Sequence, residues 1–170
     1  MTTYIALLRA VNVGGTGKLA MSDLKAICVE AGYRRVATFI ASGNVVLESD
    51  ASAASVKSEL EARLLAHAGQ PIGVVVRTRE EMQTVLSGNP FADKAPNFTV
   101  AIFLDEPPPS DALAHAAGKA DEEMRLGRRE IYVHYGAGMG RSKLKIPAAK
   151  HGTARNMNTI AKLVAMAGGT

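Results

Sequence analysis

The sequence predicts an α+β protein of two small lobes, and three observations carry that reading. Over residues 3–78 the strand and helix patterns fall in the order β-α-β-β-α-β. A second series, βαββ followed by helices, fills residues 79–170. The strands of the first series carry apolar residues on successive positions rather than alternate ones. At 170 residues the chain is long enough for one domain or two tightly packed small ones.

The elements follow in order. Tyr4–Arg9 reads as an apolar strand, followed by a glycine-rich turn from Asn12 to Lys18. A helix from Met21 to Ala31 places Leu24, Ile27 and Cys28 at helical spacing, with Ser22 as its expected cap and Gly32 as its stop. Strands Val36–Ala41 and Val45–Glu48 are joined by Ser42-Gly43-Asn44, residues that tolerate turn conformations. A helix over 52–68 shows Val56, Leu60 and Leu64 on one face, and Ile72–Val76 is the fourth strand. This order is that of a ferredoxin-like split β-α-β unit, with residues 1–78 as its lobe. The second lobe, 79–170, starts with a short helix over 79–87 and a strand over 99–104. Pro107–Pro109 bars a helix, and a helix is expected from Ser110 to Ala117. Strands over 123–127 and 130–135 follow, then helices over 142–150 and 156–167. Because successive strand positions are apolar, both faces of the first sheet should be covered, by the second half or by another subunit.

Composition narrows the class. A chain of this length needs no disulfide or metal staple. The lone Cys28 and the scattered histidines exclude a disulfide scaffold and a zinc module. No apolar run reaches the roughly 18–20 residues of a membrane span, and Arg9 interrupts the first hydrophobic stretch where a signal peptide would continue. A cytoplasmic protein is expected. Charge is uneven: Arg125, Arg128, Arg129, Arg141, Lys143, Lys145, Lys150 and Arg155 accompany a single acid, Glu130, whereas the rest of the chain is mildly acidic. A basic C-terminal third of this kind serves either phosphates or an acidic partner, or is a solvated face.

Familiar nucleotide motifs fail on particular residues. A phosphate loop would need Gly at position 12 and Ser or Thr at 19, where Asn12 and Leu19 stand. A dinucleotide fingerprint lacks its third glycine at Ala20. An RNA-recognition module would carry rings on its third strand, and Asn44–Glu48 has none. What remains of the first turn is a possible nest of backbone N–H groups flanked by Arg9 and Lys18. In the C-terminal third, Arg155 reads as sitting at a helix N-terminus, where its charge opposes the macrodipole unless an anion compensates. Ser142 and Lys143 read as opening another helix. Ordinary capping by Ser142, Thr153 or Asn156 is the alternative. Cys28 reads as a core thiol, and Asp121-Glu122-Glu123 as a solvated acidic run.

The series Ala6–Arg9, Asn12–Gly15, Ser42–Asn44, Asn89–Phe91, Gly140–Leu144 and Thr153-x-Arg-Asn156-x-x-Thr159 resembles the bacterial domain-of-unknown-function family 1697, in order and over nearly the whole chain. The resemblance implies a two-lobed α+β protein with a ferredoxin-like first lobe, and no established activity, cofactor or catalytic residue. Members often carry Trp where this chain has Met157.

The expected function is binding of a phosphate-bearing ligand, nucleotide or nucleic-acid backbone, at a basic seam between the lobes. Arg9, Asn12, Lys18, Ser42 and Asn44 would contribute from the first lobe. Arg141, Ser142, Lys143, Arg155 and Asn156 would contribute from the second. No cofactor or metal is implied, and monomer and homodimer both stay open. One alternative is an enzyme on a small anionic substrate, with Asp23, His134 or His151 as acid or base. The other is an interaction protein using the basic third.

Overall fold

The computed structural model describes residues 1–12, 18–136 and 138–168. Its chain divides into two compact units, Met1–Gln83 with Lys162–Thr170, and Thr84–Ala161.

In the first unit, β1 (Thr2–Leu8), β2 (Arg34–Phe39), β3 (Asn44–Ser49) and β4 (Val74–Thr78) form an antiparallel sheet in the order β2-β3-β1-β4. Two helices cross between its strands, α1 (Met21–Glu30) and α2 (Ala53–Ala68), giving the split β-α-β connectivity that the element order predicts. Tyr4 faces Leu47, and Leu7 faces Val75. Alternation sends Tyr4, Ala6, Leu8, Val45, Leu47, Val74 and Val76 to one face, where they pack with Leu24, Ile27 and Cys28 of α1 and Val56, Leu60 and Leu64 of α2. The other set, Ile5, Leu7, Val46 and Val75, is also buried. Both faces are therefore covered, as the unbroken apolar runs predict.

Local signals fix the ends. Ser52 caps α2 by accepting from the Ser55 N–H at 3.1 Å. The capping box Thr78-x-x-Glu81 opens α3 (Arg79–Ser87): Glu81 accepts from the Thr78 N–H at 2.9 Å and donates its own N–H to the Thr78 hydroxyl at 3.1 Å. Ser22 does not cap α1. The helix starts at Met21 after an extended Ala20 without a side-chain cap, so the Ser22 hydroxyl lies two positions past the capping position. The β2–β3 turn also differs from expectation. Asn44 is the first residue of β3, and it is Ile40, at φ 49°, that takes the left-handed conformation together with Gly43. Glycine is required at 43 because a Cβ there would meet Val11 Cγ2 at 2.7 Å and Leu8 Cβ at 2.8 Å.

The second unit holds β5 (Thr99–Phe103), β6 (Glu123–Leu126), β7 (Glu130–His134) and β8 (Thr153–Asn156), antiparallel in the order β6-β7-β5-β8. Strand for strand this is the order of the first sheet. The crossovers, however, carry only 3-10 turns, at Ala112–His115, Met139–Arg141 and Pro147–Ala149. Three expected elements change accordingly. The helix expected over 110–117 shrinks to one 3-10 turn, because the chain turns extended at Ala116 and Ala117 then exchanges two 2.8 Å backbone hydrogen bonds with Lys145. Residues 142–150 form no α-helix, only the 3-10 turn at Pro147–Ala149: Ser142 and Ile146 are extended, Ile146 because it precedes Pro147. Residues 153–156, expected to lead into the last helix, are a strand filling the open edge of β5, with Arg155 opposite Ala101. The closing helix α4 spans Met157–Gly168. No helix among the described residues is long and apolar enough to cross a membrane.

Candidate functional site

On the first unit, the polar residues singled out by sequence hold loops together. The amide of Asn12, at φ 55°, donates to Leu19 O at 2.8 Å and Ala41 O at 2.7 Å, and accepts from the Leu19 N–H at 2.8 Å. It pins the segment after β1 to the β2–β3 turn. Asn44 is fully buried and donates to Phe39 O and to Ser42 Oγ, both at 2.9 Å. Arg9 donates its N–H to Gly73 O at 2.9 Å, and its stem lies against Gly73. Lys18 is exposed. The expected nest from Asn12 to Lys18 rests on residues 13–17, which lie outside the described residues.

On the second unit Arg155 directly precedes Asn156, the cap of α4, and so stands beside a helix N-terminus, but as a strand residue. Arg155 lies on β8 with 7% of its surface exposed, and its Nη1 donates to Thr153 Oγ1 at 2.7 Å and to Ala154 O at 2.9 Å. Burial pushes its pKa down to about 10, so it remains a cation at neutral pH. Asn156 caps α4, its side-chain oxygen accepting from the Thr159 N–H at 2.9 Å. For this residue the capping alternative is the correct one.

Arg141, Ser142 and Lys143 come together differently. They line one depression of about 300 Å³ with Gly118, Ala120, Asp121, Glu122 and Gly138. Arg141 and Lys143 are exposed on it. Ser142, half-buried, donates its hydroxyl to Glu122 and accepts from the Leu144 N–H at 3.2 Å. Glu122 also accepts from the Ala120 N–H at 2.6 Å. The Ser142 hydroxyl first, and then the backbone N–H groups of Ala120 and of Glu122 itself, hold the Glu122 carboxyl below the usual carboxylate range. Gly118, at φ 72°, makes the wall possible: a Cβ there would lie 2.1 Å from the Lys143 carbonyl oxygen. Gly136 is also close to its neighbour, since a Cβ would meet Asp121 Oδ2 at 2.7 Å.

The acidic members were not legible as site residues. Glu122 reads as solvated from its charged neighbours, yet it is buried. Its partner Ser142 stands 20 positions away, a separation no local pattern reports. Glu123 does behave as a surface acid, 3.0 Å from Lys94 Nζ.

The acid–base candidates lie elsewhere. Asp23 is exposed, 3.7 Å from His67 Nε2. His134 Nδ1 is 2.9 Å from Thr99 Oγ1, whose proton goes to Ala95 O, so the ring nitrogen is the donor. That half-buried ring also lies 6.1 Å from Phe91, and so belongs to the packing of the second unit rather than to its surface. His151 is exposed. Cys28 is buried and desolvation pushes its thiol up to about 12, a core thiol as expected. Among the described residues no group of three His, Cys, Asp or Glu side chains could hold a metal ion.

Comparison with known proteins bears on the fold and the family. A search of curated proteins found no match. The structure of conserved bacterial protein SP0830 from Streptococcus pneumoniae is similar over 98% of each chain, with a TM-score of 0.81 and 25% identity. A family model described as a protein of unknown function, DUF1697, matches residues 1–132, taking in Met1–Gln83 of the first unit and the second unit as far as β7. The chain belongs to the DUF1697 family.

Proposed function

We propose that the protein binds a small phosphate ester bearing hydroxyl groups, a sugar phosphate or a mononucleotide, in the depression of the second unit. One observation carries this reading: Arg141 and Lys143 line the same concavity as the carboxylates Asp121 and Glu122. The two cations suit a single phosphate group through charge-assisted hydrogen bonds. The Asp121 carboxylate is an acceptor for ligand hydroxyls, and together with Glu122 it opposes a second or third phosphate. That mixture of signs disfavours a nucleic-acid backbone, which gains affinity by neutralising phosphates in series. Asp23, His134 and His151 are not among the lining residues, so binding is favoured over catalysis. Arg155, embedded in β8, is a poor probe, because its replacement perturbs the sheet first.

Thermal shift at low salt with inorganic phosphate, ribose 5-phosphate, AMP, ribose and a short RNA tests the reading. A ligand at about 100 times its Kd stabilises by roughly 2.7 kcal/mol, or about 5–11 °C in Tm for a domain of this size. The phosphate esters are expected to shift Tm, ribose is not, and the Arg141→Ala/Lys143→Ala double variant is expected to lose the shift. No shift with any phosphate, or an equal shift in the double variant, overturns the assignment. A shift with RNA alone returns the nucleic-acid reading.

A further inference from the structure

Of the eight Phe and Tyr rings in the chain, only Phe98 is exposed, with 37% of its surface open. It closes a 3-10 turn, Pro96–Phe98, that leads into β5. Its backbone is held on both sides. The Phe98 N–H donates to Ala95 O at 3.1 Å, and its carbonyl accepts from the Tyr135 N–H at 2.8 Å, one step beyond the β5–β7 ladder. That second bond brings the ring to the glycine-rich segment after β7. A Cβ placed on Gly138 would have three atoms of the Phe98 ring as its nearest neighbours, at 3.5, 3.9 and 4.0 Å. Gly138 itself lines the depression that holds Arg141, Lys143 and Asp121. Two positions earlier, Gly136 lies against the Asp121 carboxylate. The Cα atoms of Gly136 and Gly138 are at most about 7 Å apart. The 3-10 turn Met139–Arg141 then advances about 2 Å per residue, so Arg141 follows Gly138 by roughly 6 Å. An exposed ring, a carboxylate and a cation thus stand within a few ångströms of successive points on one segment.

We propose that the ligand of this depression is a nucleoside monophosphate, with Phe98 as the stacking platform for its base; the inference rests on the phosphate reading and narrows it. Arg141 and Lys143 take the phosphate, Asp121 accepts from the ribose hydroxyls, and the base passes over Gly138 to the ring. Glycine at 138 matters for access. Any other residue there would set its Cβ in van der Waals contact with the Phe98 ring, on the side from which the base arrives. Stacking on an aromatic side chain tolerates every base, because each has a π-face, so the ring selects a nucleotide without selecting which one. A plain sugar phosphate fills the polar part of the site and leaves the ring in water.

The test is isothermal titration of the full chain with AMP and ribose 5-phosphate, using wild type, Phe98→Leu and Phe98→Tyr. Wild type is expected to bind AMP about 5- to 150-fold more tightly than ribose 5-phosphate, the advantage that one base–aromatic stack supplies. Phe98→Leu keeps apolar bulk without a π-face. It should lose that advantage while binding ribose 5-phosphate as wild type does, which also shows that the depression is intact. Phe98→Tyr should retain the advantage. A second readout does not depend on the leucine variant. The chain has no tryptophan, so in Phe98→Trp all indole fluorescence comes from position 98. AMP should quench it and ribose 5-phosphate should not; if Phe98→Leu binds neither ligand, this quenching decides. Equal affinity of wild type for the two ligands, full AMP preference in Phe98→Leu, or an indole that saturating AMP leaves unquenched overturns the platform while the phosphate reading stands. Binding of neither ligand by wild type overturns both.

Discussion

Replacing Gly118 with alanine isolates the constraint that shapes the depression lined by Arg141 and Lys143. Gly118 sits at φ 72°, where a side chain costs about 1–2 kcal/mol of backbone strain. The new Cβ would also stand 2.1 Å from the Lys143 carbonyl oxygen, a backbone atom that cannot swing away. Relief requires separating the two strips of chain, at the expense of the paired 2.8 Å hydrogen bonds between Ala117 and Lys145. Each is worth roughly 0.5–1.5 kcal/mol net, so the total destabilisation is about 2–5 kcal/mol. Two other glycines calibrate the number. Gly32→Ala meets nothing within 4 Å and carries only the strain of φ 89°, about 1–2 kcal/mol. Gly140→Ala also faces open space, without that strain, and should be neutral or stabilise by about 0.4–1 kcal/mol. Urea unfolding followed by circular dichroism, with amide signals of each unit read separately by NMR, ranks the three. Because Lys143 moves with its carbonyl, ribose 5-phosphate binding should fall in Gly118→Ala alone. A Gly118→Ala destabilisation no larger than that of Gly32→Ala would refute the close approach.

The remaining predictions concern groups whose role is structural. Asn12→Ala removes three hydrogen bonds and should cost about 1.5–4 kcal/mol in urea unfolding while leaving phosphate affinity unchanged in the fraction that folds; a loss of affinity without loss of stability would make it a ligand residue. Cys28 should resist thiol reagents in the native state. Its thiol keeps its proton up to about pH 12 when folded but loses it near 9 when unfolded, so stability falls between those values by up to about 1.4 kcal/mol per pH unit. Cys28→Ala should flatten that part of the profile, seen as a smaller change in urea midpoint. Glu122 has the opposite sign. Its folded pKa is depressed, so its contribution is present above the ordinary carboxylate range and is lost as pH falls through the folded value. Glu122→Gln should reduce the acid sensitivity of the second unit, and an unchanged acid limb would show that Ser142 does not hold the charge.

Most of the first unit is legible in sequence because its determinants are local. Leu24, Ile27 and Cys28 repeat at helical spacing, Ser52 stands where α2 starts, and the valines of β3 and β4 favour strands. Thr78-x-x-Glu81 shows that even an unread cap had a written signature. The second unit is harder to read because long-range pairing overrides local preference. The alanines around 112–117 favour a helix, but Ala117 is claimed by Lys145 and Gly118 by the Lys143 carbonyl. Thr153–Asn156 looks like the approach to a helix until the free edge of β5 takes it as a strand. The site follows the same division. Arg141, Ser142 and Lys143 are contiguous and were found together. Glu122 was missed because burial and a partner 20 residues away define its role. Asn12, Ser42 and Asn44 were expected to face a ligand, and the partners they show are loops of their own unit.

The division of the chain also sets an order of events during synthesis. The first unit takes its residues from both ends of the sequence, Met1–Gln83 and Lys162–Thr170, with Gly168 packed against Arg79. A ribosome adding about 5–20 residues per second needs roughly 4–16 s to travel from Gln83 to Lys162. Throughout that interval the nascent first unit lacks its final piece, while the second, drawn from one continuous stretch, is assembled in a single pass. The unit begun first is thus the last to be finished.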